Sequence, residues 1–200
     1  MARDMGPVLK RCRSLGIEPQ FLGIDKKSNR TFSRAGKKVS EYGLQLKEKQ
    51  KAKFIYGVLE KPFRNMFAKA EKMRTGTAGE NLMSLLELRL DNVLFRLGYA
   101  RTRKEARQIV DHKCVLVNGK CVNIPSYTTS AGDVITIKEK AKNKAGQRFK
   151  DILEVTAGRT VPAWLEADHD NFTGTIKEVP TRDQIDVPVN EVLIVELYSN

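Results

Sequence analysis

The pair Asn118-Gly119 constrains this chain more tightly than any other two residues. It sits between two short β-prone runs, Val115-Leu116-Val117 and Lys120-Cys121-Val122. Both central residues of a type I′ turn need positive φ, which Asn and Gly tolerate best, so the segment predicts a two-residue β-hairpin. Gly132-Asp133 marks a second turn before the strand-like run Val134-Ile135-Thr136-Ile137. Ahead of the hairpin, Thr102 and Glu105 have capping-box spacing before the apolar positions Ala106, Ile109 and Val110. Residues 91–140 therefore predict helix, helix, hairpin and strand, a small α+β unit with its own core.

The preceding residues predict helices. Thr77 and Glu80 form another capping-box pair, and Leu82, Leu85, Leu86, Leu90, Val93, Leu94 and Leu97 follow with a helical period, ended by Gly98. This predicts one long amphipathic helix. Pro62 suits a first helical turn, and Phe63, Met66, Phe67, Ala70 and Met73 form an apolar stripe behind it. Leu44 to Lys53 is rich in helix formers. Residues 1–43 are broken by Gly and Pro, and read as a basic extended segment with at most a short helix over Val8–Arg13. Glu191 to Tyr198 is β-prone and predicts a strand. No internal repeat is visible.

Charge narrows the function. Residues 1–150 carry 33 basic and 14 acidic side chains, and residues 151–200 carry 3 basic and 10 acidic. A body at +19 is expected to meet a polyanion, because cations bound to phosphates release counterions. The acidic end, with Glu166, Asp168, Asp170, Glu178, Asp183, Asp186, Glu191 and Glu196, would repel that partner. It is expected to meet a basic protein neighbour or to neutralise the chain's own basic helices. The 200 residues contain no apolar stretch of membrane-spanning length and the opening residues no secretory signal, so no membrane partner and a cytoplasmic location are expected.

Three cysteines, Cys12, Cys114 and Cys121, give neither a disulfide framework nor four-ligand zinc spacing. His112 and His169 add no ligand or nucleophile–base pattern, and no Gly-rich phosphate loop is present. No metal, no cofactor, no catalytic residue and no enzymatic activity are expected.

The string Glu87-Leu88-Arg89-Leu90-Asp91-Asn92, then Ala100-Arg101-Thr102-Arg103-Lys104-Glu105-Ala106-Arg107-Gln108, then Val115 to Lys120 and Gly132-Asp133, resembles a small RNA-binding fold. That fold recurs in tyrosyl-tRNA synthetases, pseudouridine synthases and heat-shock RNA-binding proteins. Gly6-Pro7-Val8-Leu9-Lys10, Glu48-Lys49-Gln50-Lys51, Ile55-Tyr56-Gly57, Phe63-Arg64-Asn65 and the ending from Val189 extend the likeness over the whole chain. It is similar to the bacterial form of the universal ribosomal small-subunit protein-four family. The zinc-binding cysteines of some relatives are missing here, since only Cys12 lies in the first forty residues.

The resemblance implies a structural constituent of the small subunit and a primary binder of its 16S ribosomal RNA. It implies a role in nucleating assembly and in translational accuracy. The implied partners are small-subunit ribosomal RNA, ribosomal small-subunit proteins five and three, and mRNA near the entry channel. The implied fold is α+β: a mainly helical domain with the small RNA-binding module inserted, and a C-terminal β segment returning to the first domain. The expected division is 1–43 as N-terminal segment, 44–90 as helical domain completed by 175–200, 91–155 as RNA-binding module and 156–174 as connection.

Folded RNA offers phosphates, 2′-hydroxyls and minor-groove edges, so recognition by cations on rigid helices is expected. The candidates in the module are Arg89, Arg96, Arg101, Arg103, Lys104, Arg107, Lys113 and Lys120, several of them around a helix N-terminus suited to phosphate. In the helical part they are Lys47, Lys49, Lys51, Lys53, Tyr56 and Arg64. Two alternatives stay open here: Tyr56 stacks on RNA or belongs to the core, and Arg89 contacts RNA or pairs with Asp91 or Glu87. Lys138, Lys140, Lys142 and Lys144 are either RNA contacts or solvated linker. Arg34, Lys37 and Lys38 are candidates to meet mRNA. The rival readings are an RNA-modifying enzyme, on the strength of Arg89-Leu90-Asp91, and a free RNA-binding translational repressor.

Overall fold

The protein was analysed as a computed structural model. It describes residues 6–26, 28–30, 40–139 and 146–199. The chain divides into two compact units, one of residues up to Met83 together with those from Asp186 onward, the other Ser84–Ile185.

The first unit is helical. It contains α1 (Val8–Leu15), a 3₁₀ turn at Pro19–Leu22, α2 (Glu41–Tyr56), α3 (Glu60–Lys72), the start of α4 (Ala78–Glu87) and, at the end of the chain, a helix at Glu191–Ser199 that is α8 in chain order. The short helix expected over Val8–Arg13 is present and runs to Leu15, and the 3₁₀ turn at Pro19–Leu22 replaces part of the extended segment expected there. Ser40 caps α2 by accepting from Gly43 N at 3.2 Å, and Gly57 ends it at φ 62°. The Thr77/Glu80 capping box forms as predicted: Thr77 Oγ1 accepts from Glu80 N at 3.3 Å, and Glu80 Oε2 from Thr77 N at 3.0 Å.

The predicted C-terminal strand is a helix, α8. Its β-branched residues pointed to a strand, but packing and a start signal override them. Asn190 Oδ1 accepts from Val192 N at 3.1 Å at the helix start. Ile194 is fully buried, and Tyr198 stacks on Phe67 with ring centroids 4.5 Å apart. Against α2, Glu196 accepts from Gln45 at 3.3 Å and Glu48 accepts from Asn190 N at 3.1 Å.

The second unit contains α5 (Leu90–Arg96), α6 (Arg103–Asp111), β1 (Val115–Val117), β2 (Lys120–Val122), β3 (Val134–Ile137), α7 (Gly146–Thr156), β4 (Leu165–Asp168) and β5 (Thr173–Ile176). With these elements the protein is α+β. The strands form one antiparallel sheet in the order β2-β1-β3-β5-β4. Asn118 and Gly119 have φ 49° and 76°, the predicted hairpin turn. The β4–β5 pair lies where the sequence suggested a connection and the start of the returning segment. Tyr99, Val115, Ile135, Ile152, Trp164 and Ile176 are among the buried core residues.

One predicted helix is two. The leucine-rich run breaks between α4 and α5 because the chain at residues 88–91 bonds to another segment. Leu88 O accepts from Thr129 N at 2.9 Å and Thr129 Oγ1 at 2.7 Å. Leu90 N and Asp91 N donate to Tyr127 O at 2.9 Å and Pro125 O at 3.1 Å. Arg89 is extended at φ −69° and ψ 136°. A long-range contact of this kind leaves no trace in helical periodicity.

Gly174 on β5 allows close packing: a Cβ there would stand 2.4 Å from Leu97 Cδ1 and 3.1 Å from Leu97 Cγ. Gly174→Val is expected to destabilise the second unit by about 1–3 kcal/mol. The fluorescence of Trp164, the single tryptophan and 1% exposed in the same core, reports the loss in a urea titration. Adding Leu97→Ala should recover part of it, as contacting residues couple.

Candidate nucleic-acid interface

The candidate cations of the second unit fall into two sets. Arg89, Arg96, Arg103 and Arg107 are bound into the protein. Asp91, 1% exposed, accepts from Arg89 Nε at 3.1 Å, Arg89 Nη2 at 2.8 Å and Arg107 Nε at 2.7 Å. Glu87, fully buried, accepts from Arg96 Nε at 3.1 Å, Arg96 Nη2 at 2.8 Å and Asn92 Nδ2 at 2.6 Å. Arg103 donates to Asn92 Oδ1 at 2.8 Å and lies 4.2 Å from the Phe95 ring centroid. Arg159 lies over the same ring at 4.7 Å and donates to the carbonyls of Ala100 at 3.2 Å and Arg101 at 2.7 Å.

These bonds fix α5, α6 and the turn between them. Arg89 and Arg103 are buried, and both side chains are bonded within the protein. For Arg89 the open alternative resolves to the pair with Asp91. Arg101, Lys104, Lys113 and Lys120 form the second set and are exposed. Arg101 and Lys104 stand at the start of α6, Lys113 just after its end at φ 59°, and Lys120 at the hairpin.

The start of α6 is less open to phosphate than the sequence suggested. Thr102 Oγ1 accepts from Glu105 N at 3.2 Å, and Glu105 Oε2 accepts from Arg101 N at 2.8 Å. The Glu105 carboxylate also takes Arg101 Nη2 at 3.0 Å and Arg148 Nη2 at 3.3 Å. Burial pushes this carboxyl up, but the Arg101 bonds and charge, with help from Arg148, outweigh it and hold it below the usual range. The helix start thus holds a carboxylate of the protein itself, with arginines around it.

In the first unit, Lys47, Lys49, Lys51 and Lys53 on α2 are half-buried. Lys49 reaches Glu60 at 2.9 Å, Lys53 bonds the same carboxylate, and Lys51 bonds Glu48. Burial raises the Glu60 pKa, but the two lysines prevail and hold it at about 2. Tyr56 is 1% exposed, so it belongs to the core and offers no stacking face. Arg64 is exposed on α3, together with Lys61, Lys69 and Lys72, which the sequence reading passed over. Their signal was the helical period: they lie opposite the buried Phe63, Phe67 and Ala70.

Lys138, half-buried, donates to Cys121 Sγ on the hairpin strand at 2.9 Å. Arg34, Lys37, Lys38, Lys140, Lys142 and Lys144 lie outside the described residues. Among the described residues no three His, Cys, Asp or Glu side chains gather as a metal site, and no helix is long and apolar enough to cross a membrane.

A helix pair, an Asn-Gly hairpin and exposed cations around them form one compact module of the second unit. Residues 88–135 match the S4 domain family, and residues 3–87 match the family described as ribosomal protein S4/S9 N-terminal domain. The chain is 81% identical over the full length of both proteins to small ribosomal subunit protein uS4 of Lachnoclostridium phytofermentans. It is 71% and 51% identical, again over both full lengths, to the proteins of that name from Lachnospira eligens and Clostridium tetani. The chain belongs to the small ribosomal subunit protein uS4 family.

Proposed function

We propose that the protein is a structural constituent of the small ribosomal subunit and binds its ribosomal RNA directly. The reading rests on the full-length identity of 81% to a uS4 protein. The chemistry supports it: exposed Arg101 and Lys104 stand at the start of α6, which a buried ion pair ties to α5, and exposed Lys113 and Lys120 flank the hairpin strands. Cations on a fixed frame read the shape of a folded RNA through its phosphates. The ribosome in the cytoplasm is the proposed location.

Further parts of the reading follow the family likeness. They are nucleation of subunit assembly, contacts with small-subunit proteins five and three, a position beside the mRNA entry channel and an influence on accuracy. The exposed acidic residues Glu166, Asp170, Glu178 and Asp183 are suited to a basic protein neighbour. No catalytic role is proposed. Asp91, the carboxylate of the Arg89-Leu90-Asp91 string behind the enzyme reading, is 1% exposed and bonded to two guanidiniums.

Sedimentation of native cell extract tests the proposal. The protein is expected to travel with the small subunit and to leave it in high salt. Protein found only in the free fractions would favour the repressor reading.

A further inference from the structure

The structure assigns Cys121 as a modification site of the module: its thiol takes a mixed disulfide from a small anionic disulfide of the glutathione class, and the adduct weakens RNA binding at the hairpin. The modification stands on the thiol site alone, while its effect on RNA rests on the ribosomal RNA reading above.

Two thiols and an ammonium share one face of the sheet. Val115, Val117 and Ile137 are buried on the core face. By alternation Cys114, Leu116 and Lys138 belong to the opposite face, and Cys121 joins them as the partner of Leu116. Cys121 is exposed on β2, an edge strand. Its sulfur is held from two sides: Lys138 Nζ donates to it at 2.9 Å, and the thiol donates to Lys113 O at 3.7 Å. Lys138 is fixed in turn, since its backbone N donates to Cys114 O at 2.9 Å.

The chemistry follows from that placement. The thiolate is the attacking form of a cysteine, and at Cys121 its charge falls beside the Lys138 ammonium. It attacks one sulfur of the small disulfide. The new S–S bond forms as the old one breaks, and the other half leaves as a thiolate that takes up a proton. No further oxidant is consumed. The other cysteines are less suited. Cys12 is 1% exposed. Cys114 is half-buried, and burial pushes its thiol up against the pull of Arg148 and Lys138. An internal disulfide is not the product either. The register sets Cys114 diagonally across from Cys121, and such neighbours are about 7–8 Å apart, beyond the reach of a disulfide without backbone movement. The adduct then holds its carboxylates beside the hairpin cations, Lys120 next in sequence and Lys113 at the thiol's own acceptor carbonyl.

The test treats the reduced full chain with oxidised glutathione, which is anionic, or cystamine, which is cationic. Mass spectrometry of the intact protein and its peptides reads the site and the rate. Cys121 is expected to be modified first. Lys138→Gln should lower the rate ratio of anionic to cationic reagent by roughly fivefold or more, the scale of one charge pair near 4 Å in water. Modification first at Cys12 or Cys114, no modification, or an unchanged ratio in Lys138→Gln would overturn the inference. The glutathione adduct should bind transcribed bacterial small-subunit ribosomal RNA about fivefold or more weakly, with recovery in dithiothreitol. An adduct of native affinity would overturn the inference, as would an equal loss in Cys121→Ser treated alike. Unmodified protein that does not bind the RNA would instead overturn the ribosomal reading itself.

Discussion

Asp91→Ala is expected to destabilise the second unit by about 3–5 kcal/mol, the range for removing one partner of a buried ion pair. The substitution leaves Arg89 and Arg107 with side chains 9% and 15% exposed and no carboxylate between them. A buried guanidinium at Arg89 that loses its carboxylate is costly. Asp91→Asn keeps acceptor capacity but loses the charge, so it should fall between native and the Ala variant. Urea unfolding followed by Trp164 measures all three. A cost below about 1 kcal/mol, typical of a surface pair, would contradict a buried cluster. RNA affinity should fall with it even where the variant remains folded, because the cluster ties α5 to α6, which carries Lys104.

The second large effect concerns the exposed cations. Replacing Arg101, Lys104, Lys113 and Lys120 together by Gln should weaken binding to small-subunit ribosomal RNA roughly a hundredfold or more near physiological salt. The slope of log K against log salt should become shallower by about 3, at 0.7–0.9 per phosphate contact. All four are exposed, and the ion pair of Arg101 with Glu105, lost with them, is partly exposed, so stability should fall by no more than about 1 kcal/mol. Glutamine keeps helix propensity at Lys104 and an amide donor at each position. A variant with native affinity and slope would move the interface elsewhere, with Lys61, Arg64, Lys69 and Lys72 on α3 the next set to test.

Part of this design was legible in the residues alone. The local signals that act within three or four residues formed at Thr77 with Glu80 and at Asn118-Gly119, and by half at Thr102 with Glu105, whose carboxylate takes Arg101 N in place of Thr102 N. What failed was set from a distance. The break before α5 depends on carbonyls at Pro125 and Tyr127, more than thirty residues away. The end of the chain is β-prone in composition, yet it is helical where Ile194 and Tyr198 pack into the first unit.

The site shows the same limit. Composition marks every arginine as a cation, but whether it faces RNA depends on its acid partner. Arg96 reaches Glu87 nine residues back, and Arg107 reaches Asp91 sixteen back. Tyr56 and Tyr127 are equivalent by residue type, yet one is 1% and the other 38% exposed. Buried acids thus divided the candidate list into side chains bonded within the protein and exposed cations.

Both large effects rest on electrostatic recognition of ribosomal RNA by cations on a fixed frame. Its most direct measurement is the affinity of native protein for transcribed bacterial small-subunit ribosomal RNA between about 50 and 200 mM salt, a range over which 6–10 phosphate contacts cost about 10³–10⁵ in affinity. A steep linear fall of log K with log salt is the predicted result. An affinity nearly independent of salt would contradict it.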